Sequence, residues 1–223
     1  MIGAVLLLSF LLTLPDGLLH IVFCNVGQGD AAYIRTPDNQ DMLIDGGPDN
    51  KVLSCLGKYM PFYDRTIDVV FLTHPQKDHL QGLISVIERY TVKHFVIGVV
   101  GNETEGYQQL VEAIEKKKVP TKNLYSGDAF SLGSVKFSVL WPERNWVASH
   151  TSTGLNNFSY FLHLSYGAFD ALFTGDGDSK IQPEIMRQAR LPDVEVLKFP
   201  HHGSRNGILP AFLDKIKPEL AVI

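Results

Sequence analysis

Cysteine is nearly absent: Cys24 and Cys55 are the only two in 223 residues. Two thiols cannot build a disulfide framework, and their separation is not a paired metal-ligand spacing, which excludes a small stapled scaffold and a zinc ribbon. A basic excess is missing as well. Lys plus Arg is 20 against Asp plus Glu at 24, a net charge of −4. That excludes a protein that coats nucleic acid through a broad positive surface; any contact with a polyanion would have to be local or carried by a metal ion. No internal repeat or low-complexity linker breaks the chain, and 45% apolar with 20% charged residues is the composition of a folded domain, which excludes disorder. Against these absences the eight histidines stand out, because neutral imidazole is the commonest metal ligand.

One segment does not look like a soluble enzyme. Residues 2–14 are apolar except for Ser9 and Thr13, and Pro15-Asp16-Gly17 closes the run. It is shorter than the roughly 18–20 residues that span a bilayer. No Lys or Arg precedes it and no A-x-A site follows, yet its length and position suit a secretory h-region. The expectation is a hydrophobic leader or membrane anchor over 1–17 and a single domain over 18–223. A buried first strand or helix, or the stub of a longer membrane segment, are the alternatives.

Beyond Gly17 the pattern turns to strands. Residues 18–23, 31–34 and 41–44 read as a β-meander around the polar loop Asn25 to Asp30. Residues 51–59 suit a helix. A β-branched run at 67–72 stops at Thr73-His74, and Leu80, Leu83, Ile84 and Ile87 then recur at helical spacing. Strands are expected at 93–100, 135–140 and 194–199 and a hairpin at 160–174. Helices are expected at 106–118, 183–190 and 209–216, with Lys116 to Lys118 at a C-terminus where the helix dipole favours them.

Chemistry-bearing residues gather where these strands end. His74-Pro75-Gln76-Lys77-Asp78-His79, Gly175-Asp176-Gly177-Asp178 and Pro200-His201-His202-Gly203 each follow a strand, and Asp30 and Asp45 flank strands of the meander. Imidazole nitrogen together with carboxylate oxygen is what a divalent ion such as Zn²⁺ or Mn²⁺ requires. One histidine at a strand end is ordinarily a hydrogen-bonded loop residue; three such clusters in one chain point to a site.

Thr73 to Gly82 (T-H-P-Q-K-D-H-L-Q-G) resembles the H-x-H-x-D-H motif of the metallo-β-lactamase superfamily, Leu43 to Gly47 (L-I-D-G-G) its first aspartate motif, and Thr174 to Asp176 (T-G-D) its bridging aspartate. Val26 to Asp30 (V-G-Q-G-D), Asn156 to Ser159 (N-N-F-S) and Leu197 to Ser204 (L-K-F-P-H-H-G-S) narrow the resemblance to the hydrolase domain of ComEC-type DNA-uptake proteins and their stand-alone relatives. The resemblance covers 19–223. It implies an α+β fold, an αββα sandwich of two mixed sheets with helices on the outer faces and metals at the edge between the sheets. It also implies a domain that continues past Ile223 with another strand.

The resemblance implies one or two divalent ions, Zn or Mn, held by His74, Asp78, His79, Asp176 and His202, with His201 beside them; sequence alone does not order the two adjacent histidines. Asp30, Asp78 and His201 are the catalytic candidates. Asp45 would support the ligand loop by hydrogen bonds, and Gln76, Asn157, Ser159 and Asp178 are the further candidates near the site. Two departures stand out. Gln76 occupies the place of the family's second histidine, and an amide oxygen is a poorer transition-metal ligand than imidazole. The histidine that precedes the bridging-aspartate strand is also missing, with Asn156, Asn157 and Ser159 in that region; His150 lies a few residues early. His20 and His163 read as strand residues and His94 as exposed, while Trp141 and Trp146 suit either core packing or stacking on a base.

The implied activity is phosphodiester cleavage of DNA by metal-activated water outside the cytoplasmic membrane. The partners would be DNA, a membrane DNA-uptake channel, and the membrane itself through the N-terminal segment. Two other readings share these residues: a same-fold hydrolase of a small ester, lactone or lactam, and a non-catalytic protein that binds metal or DNA.

Overall fold

The computed structural model describes residues 16–150 and 153–223. The apolar run at 2–14, and with it all but residues 16 and 17 of the leader or anchor expected over 1–17, lies outside the described residues. Among those described, no helix is long and apolar enough to cross a membrane.

The first half is a meander that passes into parallel crossovers. Strands β1 (His20–Phe23), β2 (Ala32–Arg35) and β3 (Asp41–Ile44) pair antiparallel. Helix α1 (Lys51–Tyr59) then leads to β4 (Thr66–Phe71), α2 (Lys77–Arg89) to β5 (Thr91–Val96), and α3 (Glu105–Lys117) to the short β6 (Thr121–Lys122). Strands β3 to β6 are parallel, so this sheet runs in chain order from β1 to β6.

The second half repeats the plan. It comprises β7 (Ala129–Leu132), β8 (Val135–Trp141), α4 (Arg144–Ser149), β9 (Phe161–Tyr166), β10 (Phe169–Phe173), α5 (Gln182–Gln188), β11 (Val196–Lys198), α6 (Pro210–Ile216) and β12 (Leu220–Val222). Its sheet order is β12-β11-β10-β9-β8-β7, with β10, β11 and β12 parallel.

Residue alternation explains the layering. Tyr33, Leu43, Val70 and Phe95 face the helices of the first half, whereas Ile34, Met42, Ile44, Phe71 and Val96 face the other sheet. Val135, Phe137, Leu162, Leu164 and Phe173 meet them from the second sheet. Trp141, Phe161, Leu172 and Leu197 point outwards onto Ile185 of α5 and Phe212 and Ile216 of α6. Strands covered on both faces are apolar on both faces, and each fully buried large side chain contributes about 1.5–3 kcal/mol. Helix, sheet, sheet and helix therefore stack as four layers, the sandwich expected from the sequence.

Three features depart from the sequence reading. Helix α2 begins at Lys77, ahead of its apolar stripe, because the first turn carries Asp78 and His79 towards the site rather than the core. The short edge strands β6 and β12 and the helix α4 have no core-facing period to reveal them, and β7 offers only Phe130 and Leu132 over four residues. Cys24 and Cys55 form a disulfide, with Cα atoms 5.7 Å apart across 31 residues of sequence, that ties the end of β1 to α1. One such bond is no framework, but it holds the loop 25–30 that leads to Asp30.

Candidate metal centre

Parallel strands deliver their C-terminal ends to one edge of a sheet, the usual place for a ligand crevice. Asp45 follows β3, Thr73 and His74 follow β4, Asp176 follows β10, and His201 and His202 follow β11. The two sheets are joined there through Tyr160 N–H donating to the Thr73 carbonyl at 3.1 Å, and within the second sheet His201 N–H donates to the Gly175 carbonyl at 3.2 Å. Gly175, at φ +48°, makes this approach possible, since a Cβ there would lie 2.8 Å from Thr73 Oγ1. His201 and His202 both adopt the left-handed region, at φ +51° and +50°, which costs a non-glycine residue about 1–2 kcal/mol. That strain aims two adjacent imidazoles at one carboxylate.

Asp176 is the centre. Its Oδ1 lies 3.2 Å from His79 Nε2 and 3.4 Å from His202 Nε2. Its Oδ2 lies 3.8 Å from His74 Nε2 and 3.9 Å from His201 Nε2. Asp78 Oδ2 approaches His202 Nε2 at 3.2 Å. Ser159 Oγ accepts from the Asp176 N–H at 3.2 Å and fixes the turn.

The hydrogen bonds assign the tautomers. Asp45 accepts from Thr73 N–H at 2.8 Å, from the Thr73 hydroxyl at 2.7 Å and from His79 Nδ1 at 2.8 Å. With its proton committed to Asp45, Thr73 Oγ1 accepts from His74 Nδ1 at 3.2 Å. His202 Nδ1 donates to Asp30 Oδ1 at 3.0 Å. Each of these three imidazoles is thus anchored through Nδ1, with its Nε2 turned towards Asp176.

Burial and the neighbouring His79 push His74 down to about 3, so it is neutral. Burial opposes protonation of His79 and His202, but the carboxylates facing them prevail. Asp45 and Asp176 raise His79 to about 10, and Asp176, Asp30 and Asp78 raise His202 to about 12. Asp176, despite burial, is held far below the usual carboxylate range by His202 and His79. This is a site that concentrates negative charge and draws in any available cation.

The donor set fits a divalent metal. His74 Nε2, His79 Nε2 and Asp176 Oδ1 are buried with no hydrogen-bond partner, which in a folded protein calls for an explanation. Without a metal, protons on His79 and His202 serve Asp176; a divalent ion would displace them and be met by the same nitrogens and by the carboxylate. Asp30, His79, Asp176 and His202 each offer one ligand atom within 4.8 Å of the others. Asp30, however, sits on the Nδ1 side of His202 and pairs with Lys198 Nζ at 2.8 Å. Asp78, on the Nε2 side, is therefore the carboxylate placed to complete the set with His79, Asp176 and His202.

Several sequence candidates are engaged in other contacts. Asp30, a catalytic candidate in the sequence, holds His202 from behind. Asn157 is not in the site: its side chain donates to Thr153 Oγ1 and its carbonyl accepts from Trp141 Nε1 at 2.8 Å. Asp178 Oδ1 accepts from Lys180 N–H at 2.9 Å and closes a turn before α5. His150 is exposed and stacks on Trp146 with ring centres 4.3 Å apart, and Trp141 is in the core. The residue that sequence reasoning passed over is Asn156, whose Oδ1 accepts from Gln76 Nε2 at 2.7 Å. Its signal was present in N-N-F-S, but not which asparagine faces inward.

A Beta-lactamase superfamily domain family model matches residues 41–201. ComE operon protein 3 of Bacillus subtilis is 27% identical over 89% of this chain and 27% of its own length. Recombination protein 2 of Haemophilus influenzae is 23% identical over 89% of this chain and 23% of its own. The chain spans about a quarter of the length of these curated relatives. Among solved structures, the metallo-β-lactamase fold protein YhfI from Bacillus subtilis is 15% identical with a TM-score of 0.52, covering 80% of this chain and 68% of that one. CmlA, a diiron β-hydroxylase from Streptomyces venezuelae, is 14% identical with a TM-score of 0.54, covering 91% and 44%. At such identities the structures speak for the fold alone. With more than half of its length matched, the chain belongs to the β-lactamase superfamily domain family, and its histidines and aspartates converge within a metallo-β-lactamase fold.

Proposed function

We propose that this chain is a metal-dependent hydrolase that cleaves phosphodiester bonds of DNA outside the cytoplasmic membrane. The observation that carries the reading is the convergence of His74, His79, His201 and His202 on the two oxygens of Asp176. His74, Asp78, His79, Asp176 and His202 would hold one or two ions, Zn²⁺ or Mn²⁺. A bound ion supplies Lewis acidity towards a phosphoryl oxygen and acidifies a water molecule.

The protein's own groups do the rest. Asp45 and Thr73 lock the imidazoles of His79 and His74, and Asp30 with Lys198 locks His202, so the donors are ordered before substrate arrives. His201, with 38% of its side chain exposed, stands at the solvent edge where it can give a proton to a departing oxygen. Asp78, half-buried, can orient or deprotonate an attacking water.

DNA as substrate is supported by the relatives ComE operon protein 3 and Recombination protein 2 and by the order of the motifs. An extracytoplasmic place is supported by the disulfide, which persists in oxidising compartments. The apolar run at 2–14 supports it too, as part of a leader or tether over 1–17 ahead of a hydrolase domain over 18–223. A net charge of −4 leaves capture of the strand to a partner, a membrane uptake channel being the one the resemblance implies.

Chelator-treated full chain, assayed on linear DNA, bis-p-nitrophenyl phosphate and nitrocefin, tests this. Cleavage of the two phosphodiesters should require added Mn²⁺ or Zn²⁺, and cleavage of DNA should weaken as salt rises. Asp78→Ala should abolish both activities. Cleavage of DNA in excess chelator, or of nitrocefin alone, would overturn the reading.

A further inference from the structure

Two aromatic surfaces stand on the rim of the metal centre and take no part in it. Trp146, on α4, is half-buried and in T-shaped contact with the Trp141 ring at 4.7 Å and the Phe158 ring at 5.4 Å. The His150 ring lies on it, parallel within 9° and with ring centres 4.3 Å apart. His150 Nδ1 is 2.9 Å from the Trp146 carbonyl and 3.0 Å from Ser149 Oγ, which fixes the imidazole on the indole. His150 is exposed, so its far face meets solvent. Two residues before Trp146, the Arg144 guanidinium lies 3.8 Å over the Tyr125 ring. It too is exposed and, among the described residues, has no carboxylate partner.

The segments beneath these surfaces place them beside the centre. Phe158 supports Trp146, and the next residue, Ser159, accepts from the Asp176 N–H. Asn156, in the same turn, accepts from Gln76, two residues past His74. On the other flank, Asn123 Nδ2 donates to the carbonyls of Ile97 and Gly98 at 3.1 and 2.9 Å, just past the end of β5. A Cβ on Gly98 would lie 3.7 Å from His74 Cα, so Tyr125 stands at the same sheet edge as the ligands.

A flat π face takes another flat π system, and a guanidinium spread on a ring keeps its N–H edge free for a phosphate oxygen. A single strand of nucleic acid offers both, an unpaired base and a phosphate, at neighbouring places. Stacking needs no broad basic surface, which this chain lacks. Resting on the DNA-cleaving reading above, we propose that His150, backed by Trp146, is a stacking platform for an unpaired base of the strand whose phosphate lies at the metal centre, with Arg144 on Tyr125 meeting a nearby phosphate. The ring pair is ordered before the strand arrives, so little freedom is lost on binding.

Binding followed by nuclear magnetic resonance tests this without turnover. The full chain in the presence of Zn²⁺ is titrated with a deoxyadenosine tetranucleotide and, separately, with the same backbone lacking bases, both carrying phosphorothioate linkages that resist cleavage. The expected result is an upfield shift of the His150 ring protons with the adenine strand alone. That strand should bind about 10-fold more tightly than the abasic one, within the range for one stacked base. His150→Leu keeps Trp146 covered but has no π face, and should bring the preference below about 3-fold, while His150→Phe should restore it. The Trp141 indole N–H, bonded to the Asn157 carbonyl in the core, reports by its unmoved signal that each variant folds. Equal affinity for the two strands, binding of neither at millimolar concentration, or a preference indifferent to His150→Leu would overturn this inference and leave the hydrolase reading standing. The expected shift and preference in a chain that cleaves no DNA would support the platform and overturn that reading.

Discussion

Asp45 shows how much of this site is decided one residue away from the ligands. It is buried, left-handed at φ +57°, and accepts three hydrogen bonds from Thr73 and His79. Burial pushes its carboxyl above the usual range even though His79 pulls the other way, and the three donors facing it oppose protonation. Asp45→Asn keeps the shape and the backbone preference but removes that charge. Affinity for Zn²⁺ should fall about 10–100-fold, as for other groups that orient a metal-bound histidine, while stability of the metal-free protein should hold. Calorimetric titration and urea denaturation measure the two separately; equal loss of both would mean Asp45 serves only the fold. Residues of this kind are partly legible in sequence. His74, Asp78, His79, Asp176 and His202 could be named from their motifs, and the structure brings them together. Asn156 against Asn157 could not be separated, because neighbours in a turn diverge by backbone geometry that no spacing records.

At the scale of elements, the loop between β1 and β2 is the least regular part of the site's support and the most tightly tied. Cys24 N–H donates to the Ala31 carbonyl at 2.9 Å, Asp30 N–H to the Asp78 carbonyl at 3.2 Å, and Gly47 N–H to the Asp30 carbonyl at 2.8 Å. Gly29 has no room for a Cβ against the Asp78 carbonyl. The disulfide anchors the start of this loop to α1. Replacing both cysteines by serine should cost about 2–4 kcal/mol, since the cross-link restricts the unfolded chain over a 31-residue separation. Urea midpoints of the oxidised wild type and the double variant measure it, and identical midpoints would mean that the loop's backbone bonds suffice. Strands with two buried faces and helices with an apolar stripe were legible in sequence to within a few residues. Edge strands were not, since β6 is exposed and specified by pairing with a neighbour rather than by its own pattern, and β7 alternates over only four residues.

At the scale of the whole molecule, the centre is a seam. His74, Asp78 and His79 belong to the half built on the first sheet, and Asp176 and His202 to the half built on the second. An ion held by both halves closes the sandwich at its open edge, and the unfolded chain, with these residues scattered over more than a hundred positions, offers no equivalent. Metal binding is therefore linked to folding. At free ion 100-fold above its dissociation constant the native state gains about 2.7 kcal/mol. For a chain of this size each kcal/mol moves the melting temperature by about 2–4 °C, so saturation should raise it by about 5–10 °C. Asp78→Ala should lose most of that rise. Its own metal-free melting temperature should drop slightly, because the substitution removes a half-buried carboxylate that, despite burial, His202 and His79 hold below the usual carboxylate range. Scanning calorimetry of both proteins with and without Zn²⁺ decides it: a rise of equal size in the variant would place the stabilising ion outside the seam, and the sandwich would then be held shut by its apolar core alone.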